Sequence, residues 1–213
     1  AKSLTDLAPM PTSWPAAAGS ADAAEIAADA ERLLGGIDIM MCTTAADGIA
    51  PELFFKDIPP ASDISRILTE MATPPAMHMA SAVLPGMRSR KGGVIVNVAS
   101  DAAKTATPGG EAMIGAAKAA IVMFTRTLAI EEKRHGIRAN ALTPSLVHGT
   151  ASTERITSGE GFSAKLFASA AKQASLGVPD ADDIAALAVF VCSPAAGKLT
   201  GQAISVNGGI SAA

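Results

Sequence analysis

The sequence predicts an α/β protein, a doubly wound parallel sheet in one domain over residues 1–213. Three observations predict it. Short, nearly continuous apolar runs at Ile37–Cys42, Val94–Val98 and Ile137–Leu142 read as strands covered on both faces. Longer stretches with helical spacing separate them. Glycines punctuate the joints, at Gly35-Gly36, Gly92-Gly93 and Gly136. Right-handed crossovers then wind helices onto both faces. The ligand crevice of such a sheet lies at the carboxyl ends of its strands, so the loops after Cys42, Val98 and Leu142 share one rim.

Residues 1–15 read as irregular, because Pro9, Pro11 and Pro15 oppose regular structure. Ala16 to Ala18 has room for a short strand. Ser20 or Asp22 caps a helix running to about Leu34, with Ile26, Ala30, Leu33 and Leu34 on its apolar face. A loop over 43–61 carries Gly48, Pro51, Pro59 and Pro60. Ser62 opens a helix with Ile64, Ile67, Leu68 and Met71, which Pro74-Pro75 breaks; a second segment runs from Ala76 to about Arg88. After the strand at 94–98 and a loop to Gly110, a long helix spans Glu111 to about His135. Met113, Ala117, Ala120, Ile121, Phe124 and Leu128 form its apolar face. The stretch 144–162 reads as a long loop. Helices near 163–175 and 180–192 precede a last strand around Gln202 to Val206.

Composition narrows the function classes. Of 213 residues, 17 are Lys or Arg and 20 are Asp or Glu, a net charge of -3 with no basic cluster, which argues against a nucleic-acid partner. Mean hydropathy is +0.32. The uninterrupted apolar runs, such as Ile184 to Cys192, are nevertheless shorter than the roughly 20 residues of a spanning helix, so no membrane partner is expected. The N-terminus lacks a signal-peptide pattern. Cys42 and Cys192 read as buried free thiols, and a cytoplasmic setting follows as the default. His78, His135 and His148 lack metal-ligand spacing, so no metal is expected. The sequence contains no tyrosine, which excludes any mechanism that needs a phenol.

Five segments in order carry a resemblance. They are Ile37-Asp38-Ile39-Met40-Met41, Gly93-Val94-Ile95-Val96-Asn97-Val98-Ala99-Ser100, Ala116-Ala117-Lys118-Ala119-Ala120, Ile137-Arg138-Ala139-Asn140-Ala141-Leu142-Thr143-Pro144, and the tail from Asp182-Asp183-Ile184-Ala185 through Leu199-Thr200-Gly201-Gln202 to Asn207-Gly208-Gly209. Over about residues 16–210 the chain resembles the short-chain dehydrogenase/reductase family, which implies a Rossmann-like sheet and NAD(P)-linked oxidoreduction. Against the family's pattern the sheet is expected to be truncated at its N-terminus, with about 40 residues absent ahead of the third strand. The family's glycine-rich turn, which admits the cofactor pyrophosphate, has no counterpart in the sequence.

The resemblance also assigns the site positions. With Lys118 as the family's lysine, its tyrosine position four residues earlier holds Ile114. Ser100 stands where the family keeps its substrate-orienting serine, and Glu70 where it usually has asparagine. The Asn-Asn-Ala-Gly that borders the family's cofactor reads Cys42-Thr43-Thr44-Ala45, and its Pro-Gly reads Pro144-Ser145. These are therefore expected to be vestigial: no intact catalytic set and no bound cofactor in this chain. For Lys118 the plainer reading is a snorkelling or paired lysine, and for Ser100 a hydroxyl satisfying the backbone. A new acid–base set of Glu70, Asp101 and Glu111 with Lys118 is the sharper alternative. Gly110-x-x-x-x-Gly115 has P-loop glycine spacing but Ala116 and Ala117 replace the required Lys and Ser/Thr.

These readings imply a non-catalytic subunit that stabilises or regulates an active NAD- or NADP-dependent homologue. A hydroxyacyl-CoA dehydrogenase of the 2-(hydroxy(phenyl)methyl)succinyl-CoA type is one candidate for it. Family subunits pair through two long helices, matched here by about 62–90 and 111–135, and through a second contact matched by about 181–206. A heterotetramer with the active subunit, or a homo-oligomer, would use both. The alternatives are an NAD(P)-dependent oxidoreductase of the family whose N-terminal part lies outside this sequence, and an enzyme of altered acid–base chemistry such as a hydratase or lyase.

Overall fold

The computed structural model describes residues 20–43, 74–106, 111–157 and 162–212. The expected strand at 16–18, the helix from Ser62, and the positions Thr44, Ala45 and Glu70 lie outside the described residues.

Helix α1 (Ser20–Leu34) leads into strand β1 (Ile39–Cys42); helix α2 (Pro74–Arg90) leads into β2 (Gly93–Val98); helix α3 (Ala112–Glu132) leads into β3 (Ile137–Pro144). Helices α4 (Ala151–Thr157), α5 (Phe162–Gln173) and α6 (Ala181–Cys192) precede β4 (Ala203–Val206). The four strands run β1-β2-β3-β4, and every neighbouring pair is parallel. All their carboxyl ends therefore meet at one rim, as the sequence predicts.

The helices cover both faces. On one, Ala27 and Ala30 of α1, Ala80, Val83 and Met87 of α2, and Leu128 and Ala129 of α3 pack with Met40, Cys42, Ile95 and Ala139 of the strands. On the other, Val94, Val96 and Leu142 meet Ala188 and Val191 of α6. The central strand β2 has no exposed surface at Ile95 and Val96, which is why its sequence is apolar without alternation.

Four expectations change. The buried face of α1 is Ala23, Ala27 and Ala30, while Leu33 and Leu34 are exposed. Small side chains win because α1 and α2 approach closely: a Cβ on Gly86 would collide with the Glu31 carboxylate. Strand β1 alternates, with Met40 and Cys42 buried and Ile39 and Met41 exposed, so among the described residues it is covered on one face only. Helix α2 starts at Pro74 rather than Ala76, since a helix's first turn has no intrahelical use for the missing N–H groups of Pro74 and Pro75. Within 144–162 a short helix forms, because Thr150 Oγ1 accepts the Thr153 backbone N–H at 3.3 Å and starts α4.

Smaller differences follow from geometry that spacing does not show. Ala120 is exposed on α3, and Cys192 is half-buried rather than buried. Ala112–His135 is long and apolar enough by length and composition to cross a membrane, although it also carries buried Lys118, Thr125 and Glu132. Its charged residues keep it from being an uninterrupted apolar run.

The family-like motifs prove to be struts. Arg138 of β3 donates to the Val191 carbonyl at 2.8 Å and the Ser193 carbonyl at 3.2 Å, satisfying the open end of α6. Asn140 is fully buried; its Nδ2 donates to the Leu199 carbonyl at 2.9 Å and its Oδ1 accepts from the Gln202 N–H at 3.0 Å. Asp180 and Asp183 form a capping box at α6. Arg88 of α2 grips Glu132 of α3 through two bonds of 2.8 and 2.5 Å.

Candidate active-site rim

The rim is built where β1, β2 and β3 end. Cys42 closes β1, and its register partner is Asn97. β2 runs on through Ala99, whose N–H reaches the Leu142 carbonyl at 2.8 Å, so Ser100 emerges at the crest of the sheet. Ser100 has extended backbone and caps the short 3-10 turn Asp101–Ala103, with its Oγ accepting from the Ala102 N–H at 3.3 Å. That is the plainer of its two expected roles. A serine hydroxyl that accepts one bond still has a proton to donate.

Helix α3 begins beside this turn. A Cβ on Gly115 would stand 2.9 Å from the Ala102 carbonyl oxygen, so only glycine lets the first turn of α3 come this close. The approach places half-buried Ile114 beside the Ser100 turn and turns Lys118 inward, where it is 9% exposed. Gly115 serves this approach and not a phosphate loop. A glycine early in an otherwise Ala-rich helix was the available signal.

Lys118 is unusual for its burial. Desolvation pulls its ammonium below the ordinary lysine range, and the charge of Cys42 acts in the opposite direction. The structure thus brings Lys118 together with Cys42. Asp101 turns elsewhere: its buried carboxylate accepts from Ser205 Oγ at 2.8 Å, from Asn207 Nδ2 at 3.1 Å, and from Ser211 Oγ. The expected set of Asp101 with Lys118 is therefore replaced by an anchor for the C-terminal segment. Lys104 reinforces it with a bond to the Ala203 carbonyl at 3.4 Å. Glu111 sits at the N-cap of α3 without a side-chain capping bond.

Pro144 and Ser145 are half-buried at the end of β3, and Thr43 is exposed after β1. His148 is exposed in the following loop. Among the described residues no glycine-rich turn leads from a strand end into a helix, the turn ahead of α4 carrying Gly149 alone, so a dinucleotide pyrophosphate finds no glycine-rich cradle there. Ser100 and Lys118 fit the reacting end of such a cofactor, and the fit goes no further. Among the same residues no group of three His, Cys, Asp or Glu side chains could hold a metal ion.

Comparison with known proteins agrees with this architecture. A family model described as enoyl-(acyl carrier protein) reductase matches residues 17–211. Human dehydrogenase/reductase SDR family member 4 is 32% identical over 199 residues, covering 88% of this chain and 64% of its own length. The acetoacetyl-CoA reductase of Shinella zoogloeoides is 34% identical over 182 residues, covering 85% of this chain and 71% of its own. The structure of a 7 alpha-hydroxysteroid dehydrogenase complexed with NADH and 7-oxo glycochenodeoxycholic acid superposes with a TM-score of 0.77 at 26% identity, over 90% of this chain and 71% of that one. The chain spans about half to two-thirds of the length of the first curated relatives it matches. With its parallel sheet, its Ser100 turn and its Lys118 helix, the chain belongs to the short-chain dehydrogenase/reductase family.

Proposed function

We propose that this chain serves NAD(P)-linked oxidoreduction of a carbonyl or hydroxyl group, with Lys118 moving the proton. The relatives' names, dehydrogenase and reductase, support the reaction class. The observation that carries the role of Lys118 is its burial at the rim with a lowered proton affinity. A lysine of lowered pKa shares its population between amine and ammonium closer to neutral pH, which suits a general acid–base. The Lys118 Nζ amine takes the proton of a hydroxyl being oxidised, and the ammonium returns it to a carbonyl oxygen being reduced. Ser100 orients that oxygen by donating its hydroxyl proton. A bound nicotinamide would supply or accept the hydride.

Fluorescence titration of the chain with NADH and NADPH, followed by turnover of a panel of ketones, tests this reading. Saturable binding is expected, weaker than a glycine-rich pyrophosphate cradle would give, with turnover that Lys118→Met lowers at least a hundredfold while binding changes little. Turnover unchanged by Lys118→Met would end the assignment. Gain of rate in Ile114→Tyr would show that a phenol at that position improves on the lysine alone.

Ile114 favours a second reading, the non-catalytic subunit. An isoleucine cannot carry a proton, and the sequence has no tyrosine to take its place. Exposed Met123 and Ile130 on α3, and Val189 and Phe190 on α6, offer apolar contact for an active homologous subunit. Co-purification with an intact short-chain dehydrogenase, in a complex holding all the activity, is the result this reading requires. A monomeric chain with its own turnover removes it.

A further inference from the structure

Cys42 and Lys118 are each more than nine-tenths buried at the same rim, one on β1 and one on α3. Three relationships fix their placement. Cys42 pairs in register with Asn97, and residues paired across parallel strands point to the same face; Met40 and Ile95, the pair two positions back on that face, share one core cluster with Cys42. Asn97 Nδ2 donates to Thr125 Oγ1 at 2.9 Å, which seats that face of α3 over β1 and β2. Lys118 lies about two turns from Thr125 on the same side of the helix, toward the rim where α3 begins. The charge of Cys42 acts directly on the Lys118 ammonium, as this placement requires.

Asn97 adds an observation that points to a ligand. Its side chain is fully buried, and among the described residues its Oδ1 has no hydrogen-bond partner. A buried acceptor left open is costly, and this one stands beside Cys42. A group carrying a hydroxyl, bonded at Cys42, would satisfy it.

We propose that Cys42 and Lys118 form a nucleophilic dyad that binds a small aldehyde covalently at the rim, with Asn97 Oδ1 accepting the hydroxyl of the adduct. The Lys118 amine takes the proton of the Cys42 thiol. Cys42 Sγ forms a bond to the carbonyl carbon as the C=O π pair moves onto oxygen. That oxygen takes the proton back from the Lys118 ammonium, leaving a neutral hemithioacetal. No electrons are gained or lost overall, and the bond reverses by the same steps. The buried setting limits the ligand to a small one. This inference does not rest on the oxidoreductase reading, because it requires neither hydride nor cofactor.

The test uses the whole chain, with Cys192 as the internal control, since burial pushes that thiol up and slows it. Iodoacetamide is added at pH 7 and alkylation of each cysteine is followed by mass spectrometry. Cys42 is expected to react at least about tenfold faster than Cys192, and millimolar acetaldehyde to protect Cys42 alone. Lys118→Met should bring the rate at Cys42 down to that of Cys192 or below. Equal rates in the wild-type chain overturn the dyad, whether or not the variant folds. A fast Cys42 whose rate survives in a folded Lys118→Met chain overturns the role of Lys118, and a fast Cys42 that acetaldehyde does not protect overturns the carbonyl ligand.

Discussion

Asn207 Nδ2 donates to Asp101 Oδ2 at 3.1 Å, joining two residues 106 positions apart in the chain. Both are buried. Asp101 opens the turn after β2, and Asn207 follows β4, so this bond ties the carboxyl ends of β2 and β4 together across β3. Asn207 also donates to the Ser211 carbonyl and accepts the Gly209 N–H, each within 3.1 Å, folding the tail back onto the same carboxylate. The turn that carries Ser100 is therefore positioned by the last residues of the chain.

Asp101→Ala is expected to destabilise the protein by about 2–4 kcal/mol, because it strands the donors of Ser205, Asn207 and Ser211. Urea unfolding measures the loss. Hydrogen exchange should show protection lost over 203–211 and 100–104 before it is lost elsewhere. A uniform loss of protection would mean that Asp101 contributes stability without anchoring the tail.

Gly115→Ala sets two effects against each other. Alanine favours the helix by about 1 kcal/mol, but its Cβ would stand 2.9 Å from the Ala102 carbonyl oxygen, which belongs to backbone and cannot swing away. The clash should prevail, with a net destabilisation of about 1–2 kcal/mol by thermal or urea unfolding. Replacement of Gly149, which has open space but a φ of 75°, tests backbone strain without a clash.

The Arg88–Glu132 pair predicts an acid-sensitive joint between α2 and α3. Bonding to Arg88 holds the Glu132 carboxyl below its usual range, against an opposing push from burial. A carboxyl lowered in the folded state contributes stability that is present above its unfolded value, about 4.3, and lost as pH falls through the folded value. Glu132→Gln should therefore cost stability at pH 7, about 1–2 kcal/mol after allowing for the half-exposed Arg88, and cost progressively less in acid. Unfolding curves at pH 7 and pH 3 for both chains check the convergence.

Lys118 carries the opposite sign. Its folded-state pKa is lowered by desolvation, so the folded protein binds its proton less readily than the unfolded chain does. The penalty is fully present below the folded pKa and disappears as pH rises past the unfolded value of about 10.4. Lys118→Met should stabilise the protein at neutral pH, and the gain should shrink as pH rises. A variant less stable than wild type at pH 7 would show that bonds to the ammonium outweigh its burial cost.

How much of this was legible in the sequence follows from range. The strands, the helices from Ser20, Glu111 and Asp180, and the shared rim could all be read, because apolar periodicity and turn chemistry are local properties. The family likeness was legible for a related reason. Arg138, Asn140 and Thr200 to Gln202 are struts whose spacing the fold requires, and they stand in order along the chain.

The alternating burial of β1, the alanine seam of α1, the approach of Gly115 to Ala102, and the meetings of Asp101 with Asn207 and of Lys118 with Cys42 belong to tertiary structure. Each depends on the distance between elements far apart in the chain, and periodicity within one element carries no information about that distance. Sequence alone determined that Ile114 cannot transfer a proton. Only the fold decided that Lys118 is buried beside a thiol, because burial and proximity are set by what the other elements bring to the same place.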